Sequence, residues 1–172
     1  MGMERAMKGG LGSSVRRLPG GAVAAALVAV NALGDVVDPR TGGILAGVRG
    51  EGKGTYLDAS RLLLERTELT LFAGANTTLA VVALNVLFNK AQLAKIAQMA
   101  QDGLARAIRP VHTMVDGDTV FAVSVPRGEE PPRLDVTVAG AAAAEAVAEA
   151  VVRGVNSAES LGGFPCRAEW EE

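Results

Sequence analysis

The chain has 172 residues, 49% hydrophobic and 21% charged, with 17 Lys+Arg against 19 Asp+Glu and a formal net charge of -2. That apolar fraction excludes wholesale disorder, and the near-neutral balance argues against a nucleic-acid binder. One cysteine, Cys166, excludes an intrachain disulfide framework, and one histidine, His112, excludes a His-rich metal site.

Aromatics make up 3% of the chain, so Ala, Val and Leu must build the core. Residues 1–21 carry Gly, Ser and basic side chains and read as loop or short strand. The longest apolar run, Ala22 to Val30, is far short of the about 20 residues that a spanning helix needs. Arg16 and Arg17 ahead of it faintly resemble a twin-arginine leader, but Pro19-Gly20-Gly21 intervenes and no small-residue cleavage site follows. The run is therefore read as a buried strand and the protein as cytoplasmic, without membrane attachment. Residues 35–37 predict a further strand. Residues 38–56, with Pro39 and a run of glycines, predict a long irregular connection, and Asp58 to Glu65 a short helix.

The segment 79–86 is a strand-type apolar run. Leu93, Ile96, Ala97, Ala100, Leu104 and Ile108 then recur at three and four residues, which predicts an amphipathic helix from Lys90 to Ile108. Val111 to Met114 and Val120 to Val125 flank Asp116-Gly117-Asp118, a hairpin signal. Leu134 to Val138 reads as a strand, Ala139 to Val152 as an Ala-rich helix, and the tail as irregular. Strands and helices mix without strict alternation, so the class is α+β or layered α/β, in a single domain over 1–172.

Several motifs fall short. Gly47, Gly52 and Lys53 have phosphate-loop spacing, but Gly54 stands where a Ser or Thr hydroxyl must hold magnesium. Lys8 to Ser14 is glycine-rich, which alone is weak evidence for an anion cradle. Asp116 and Asp118 lack the flanking oxygen ligands of a calcium loop. His112 and Cys166 have no partner in a recognisable triad order.

Residues 74–88 are different: Gly74-Ala75 leads to Asn76-Thr77, and an apolar strand follows at once. If the bond before Thr77 is poised, its hydroxyl can attack the Asn76 carbonyl and form an ester. Water then frees Thr77 as a new N-terminus. Its amine, with a reference pKa of about 7.7–8.0, suits a general base acting on its own hydroxyl. The plain alternative is a turn entering a strand.

From Asn76 to Ala83, then Pro110-Val111-His112-Thr113 and Asp116 to Ala122, the sequence resembles the β-subunit of the L-aminopeptidase/D-esterase family. That family includes β-peptidyl aminopeptidases and 6-aminohexanoate oligomer hydrolases. Met7 to Gly12 and Leu27 to Asn31 resemble the end of its α-subunit, so the resemblance runs from about Gly2 to about Gly163. It implies a precursor cut between Asn76 and Thr77, with 1–76 α-subunit-like and 77–172 β-subunit-like. It implies a catalytic set of Thr77 as nucleophile, Lys8 and Asn31 flanking it, and Asp116 and Asp118 holding its hydrogen-bond network. Neither metal nor organic cofactor is implied; the substrates are small peptides, amides or esters. The implied fold is a four-layer α-β-β-α sandwich of the aminopeptidase/ornithine acetyltransferase type, incomplete here because the match begins near the end of the α-subunit. The expected partner is a second copy or the missing half of the precursor. Leu84 stands where the family usually has a small polar residue. Two other readings stay open: an inactive remnant that binds a partner, and an acyltransferase like the self-cleaving ornithine acetyltransferase. The Lys8-Gly9-Gly10 and Asp116-Gly117-Asp118 contexts favour the aminopeptidases.

Overall fold

Alternation along the apolar run sets the main sheet. In the computed structural model, which describes residues 3–67 and 76–172, Ala22, Ala24, Ala26 and Val28 are buried while Leu27 is exposed. This strand is thus buried on one face only, where the sequence predicts burial throughout. Both faces are apolar, so composition alone could not reveal the two-residue period.

In chain order the elements are β1 (Leu11–Arg17), β2 (Val23–Ala29), β3 (Asp35–Val37), β4 (Ile44–Ala46), α1 (Ala59–Leu64), β5 (Leu79–Leu84), α2 (Lys90–Ala107), β6 (Ile108–Arg109), β7 (Thr119–Ser124), α3 (Val136–Asn156) and α4 (Arg167–Glu171). One sheet has the order β1-β2-β5-β7, and a smaller one β4-β3-β6. β1 and β2 pair antiparallel from Leu11↔Ala29 to Arg17↔Val23. β2 and β5 are antiparallel, and β5 and β7 are parallel, with Leu79 opposite Thr119.

That parallel pairing overturns the predicted hairpin. Two adjacent parallel strands need a crossover, and α2 supplies it. No strand forms over 111–114. There the Asp116 carboxylate accepts from both the amide and the hydroxyl of Thr113, at 3.0 and 2.7 Å, and folds the segment on itself. The strand predicted over 134–138 is instead the start of α3, because Asp135 caps it by accepting from Thr137 N at 2.7 Å. The tail is not wholly irregular either: α4 is held where Trp170 stacks on the Arg49 guanidinium, 5.2 Å from the ring centre.

α2 starts at a capping box between Asn89 and Gln92 and buries Ile96, Ala100, Leu104 and Ala107. α3 buries most of its alanines against α2, β1 and β2. Small side chains let these helices approach closely, so a nearly aromatic-free chain still packs densely. The helices cover one face of the four-stranded sheet. The other face carries Leu11, Val15, Leu27, Leu79, Val81, Phe121 and Val123, all exposed among the described residues. Cross-strand register aligns Leu27, Val81 and Phe121 in one row.

In the small sheet, Asp35 is fully buried. Its carboxylate accepts from Val48 N at 2.9 Å and Ala59 N at 2.6 Å, tying the loop after β4 to the start of α1. Burial pushes its pKa above the ordinary carboxylate value, against the pull of those two amides. Among the described residues no helix is long and apolar enough to cross a membrane.

Candidate active site

Thr77 lies two residues before β5, so its backbone is held close to the sheet that the chain is about to enter. Its amide donates to the carbonyl of Asn31, just past the end of β2, at 2.8 Å. The carbonyl oxygen of Asn76 accepts twice. Gly117 N donates to it at 2.9 Å, and the Thr77 hydroxyl at 2.7 Å. An isolated parallel bridge, Asn76↔Asp116, extends the β5–β7 pairing back across this bond. Gly74 and Ala75, the small residues leading to Asn76, lie outside the described residues, as does Gly2.

The site is shaped by what Gly117 lacks. A Cβ there would stand 2.6 Å from Thr77 Oγ1. Only a hydrogen lets the loop backbone approach the hydroxyl and present its N–H to the Asn76 carbonyl.

Lys8, Asn31, Asn76 and Thr77 all line one cavity of about 780 Å³, walled elsewhere by apolar side chains such as Met7, Val36 and Val48. Lys8 is anchored through its own amide to Pro165 O at 2.9 Å, and Gly10 O accepts from Val30 N at 2.8 Å, which joins the segment before β1 to the end of β2. Four of the six residues singled out from sequence therefore converge on one space.

The two aspartates stand behind that space and do not line it. Asp118 Oδ1 accepts from Thr78 N at 2.8 Å, and its Oδ2 lies 3.3 Å from His112 Nδ1. Asp116 holds Thr113. Both carboxylates thus shape the loop that carries Gly117 and secure the strand entry that carries Thr77. Among the described residues no group of His, Cys, Asp and Glu is placed to hold a metal. Leu84 lies at the far end of β5 and is fully buried in the helix-side core, away from the cavity.

Sequence reasoning missed the Gly117 amide and the His112–Asp118 contact. Both depend on the parallel pairing, which a hairpin reading hides. The phosphate-loop motif comes to nothing: Gly52 to Gly54 form an exposed turn, and the next helix begins only at Ala59.

Comparison with known proteins shows the family. The model of the family described as "Peptidase family S58" matches residues 1–168. An uncharacterized aminopeptidase of Mycobacterium bovis is 39% identical, over 93% of this chain and 51% of that protein. The 6-aminohexanoate-oligomer endohydrolase of a Kocuria species is 33% identical, over 83% of this chain and 43% of that one. Among solved structures, the L-aminopeptidase D-Ala-esterase/amidase of Ochrobactrum anthropi, described as a new variant among the Ntn hydrolase fold, aligns with a TM-score of 0.60 at 22% identity. That alignment covers 95% of this chain and 44% of the other. The chain spans about half the length of the relatives it matches.

Proposed function

The chain belongs to peptidase family S58, and from that premise we propose that it is the nucleophile-bearing part of a self-processing amide hydrolase that cuts itself between Asn76 and Thr77. One observation carries the reading. The carbonyl to be attacked is polarised by an amide donor, Gly117 N, while the Thr77 hydroxyl already rests against the same oxygen.

In the first step Thr77 Oγ1 bonds to the Asn76 carbonyl carbon and its proton passes to the departing Thr77 nitrogen. Negative charge on the Asn76 oxygen is met by Gly117 N–H, an oxyanion donor of the kind whose loss costs about 10²–10³ in rate. The peptide C–N bond breaks and leaves an ester. Water hydrolyses the ester, giving an Asn76 carboxylate and a free Thr77 amine. Asn31 O, which now accepts from this nitrogen at 2.8 Å, stays available to orient the amine.

In turnover the Thr77 amine takes the hydroxyl proton as Oγ1 attacks a substrate carbonyl. The proton then goes to the leaving amine or alcohol, and water releases the acyl group. Lys8 lowers the pKa of the Thr77 amine and hydroxyl through its charge, and the Asn31 carboxamide meets the substrate oxyanion. Asp116 and Asp118 hold the loop and strand entry in register. The apolar cavity fits the acyl side of a small peptide, amide or ester that is freed at its amino end.

The bare sheet face supports a partner for the working enzyme. The part of the relatives' length that this sequence does not span would cover it, and a second copy of the chain is the other candidate. The same face favours a second reading, a fragment that binds such a partner without turnover. The reading keeps the protein in the cytoplasm, where an unpaired Cys166 stays reduced.

Intact mass after expression tests the proposal. The parent chain should split into two fragments, alone or when the rest of a family-length protein is supplied, and Thr77→Ala should stay whole. A parent that is never cut in either setting refutes it.

A further inference from the structure

We propose that His112 is a positioning residue for Thr77, acting through Asp118. This rests on the reading of Thr77 as nucleophile. Two separate observations carry it.

The first is a bridge. The Asp118 side chain is almost wholly buried, at 4% exposure, and its two oxygens face different elements. Oδ1 accepts from Thr78 N, 2.8 Å away at the entry to β5, and Oδ2 faces His112 Nδ1 at 3.3 Å. One carboxylate thereby joins the start of the 112–118 loop to the residue after Thr77. Gly117, whose amide meets the Asn76 carbonyl, lies inside the loop so closed.

The second is backbone conformation. His112 has φ of 56°, the left-handed region. A residue with a Cβ is uncommon there and costs of order 1–3 kcal/mol unless its surroundings require it. Glycine would meet the backbone demand without strain. A histidine at this position is therefore explained by its ring, not by the turn. Without a nitrogen facing Oδ2, the carboxylate loses its second partner, and the Thr78 amide and Gly117 amide lose their fixed separation.

Two substitutions separate the ring from the turn. His112→Asn keeps a residue type that tolerates positive φ and keeps an amide nitrogen toward Asp118. His112→Gly keeps the turn and removes the ring nitrogen that faces Asp118. In the full chain, His112→Asn should self-cleave within about threefold of the parent, and His112→Gly roughly tenfold to a hundredfold more slowly, as small misplacements of a nucleophile do. Equal cleavage by parent and His112→Gly overturns the inference. So does a slow His112→Asn beside a fast His112→Gly.

If parent and Thr77→Ala stay equally whole, the self-processing reading fails, and amide hydrogen exchange still decides the role of His112. Against the parent, His112→Gly should lose protection at Thr78 and Gly117 by about tenfold or more, while amides in α2 keep theirs. Unchanged protection at both positions overturns it.

Discussion

Gly117 N and Asn76 O are 2.9 Å apart, joining two segments about forty residues distant in sequence across a peptide bond whose far side carries a threonine hydroxyl. The loop of Gly117 leads into β7, and Thr77 leads into β5. Because those strands run parallel with Leu79 opposite Thr119, both loops emerge at the same end of the sheet. The sheet register thus brings donor, carbonyl and hydroxyl together.

Substituting Gly117 tests that geometry. Gly117→Ala keeps the amide and needs no unusual backbone, but its Cβ would sit 2.6 Å from Thr77 Oγ1. Self-cleavage should slow by about 10² as the hydroxyl is displaced, with the melting temperature little changed. A time course of intact mass beside a thermal melt checks both.

The nucleophile itself has a graded prediction. Thr77→Ser retains a hydroxyl at the same backbone position and should still cut the chain, whereas Thr77→Val, of the same shape without an oxygen, should leave it whole. N-terminal sequencing of the smaller Ser-variant fragment should begin at residue 77.

Removing either cavity-wall group should separate binding from chemistry. Lys8→Met and Asn31→Ala should each lower kcat by about 10²–10³ on an amide substrate, with smaller changes in KM, because their proposed work is done on developing charge. Steady-state kinetics on processed enzyme gives the split; a loss confined to KM would remove both from the mechanism.

Asp35→Ala leaves the amides of Val48 and Ala59 without their acceptor and should destabilise the fold by about 3 kcal/mol. The sign with pH follows from the raised pKa of the parent. A raised value means the folded state binds this proton more tightly than the unfolded state. Its contribution is fully present below the ordinary value of 3.8 and is lost as pH rises through the higher folded value. The stability gap between parent and Asp35→Ala should therefore narrow as pH climbs from 3.8, as seen in melts across that window.

The uncovered face predicts association. Leu27, Val81 and Phe121 form a contiguous row, and Phe121 is 55% exposed. Leu27→Lys combined with Phe121→Lys should shift sedimentation toward monomer while changing stability by no more than about 0.5 kcal/mol per site, since neither side chain belongs to the helix-side core.

Elements with a clear period were readable from sequence. The helix around Ile96 and Leu104 was legible because its apolar stripe repeats at three and four residues, whereas the residues proposed for the site were picked out only through the family resemblance that Asn76-Thr77 and Asp116-Gly117-Asp118 carry. Pairing was not legible. A glycine between two aspartates marks a turn but does not say whether the next strand runs beside its predecessor or beside one forty residues away. Likewise Leu134 to Val138 has strand-like composition, and only the Asp135 carboxylate reaching Thr137 N makes it a helix start. Register is decided by contacts between segments, which local composition does not encode, whereas the Asp135 cap spans two residues and competes locally with the strand-like composition around it.

The order β1-β2-β5-β7 joins material from both sides of the Asn76–Thr77 bond in one sheet, edge to edge at β2 and β5. β1 and β2 precede it, β5 and β7 follow it, and α3 from the later part packs across β1 and β2. Breaking that bond would not release either piece. It would convert one polypeptide into an obligate heterodimer with a shared interior, whose recovery after denaturation becomes a second-order encounter and slows on dilution.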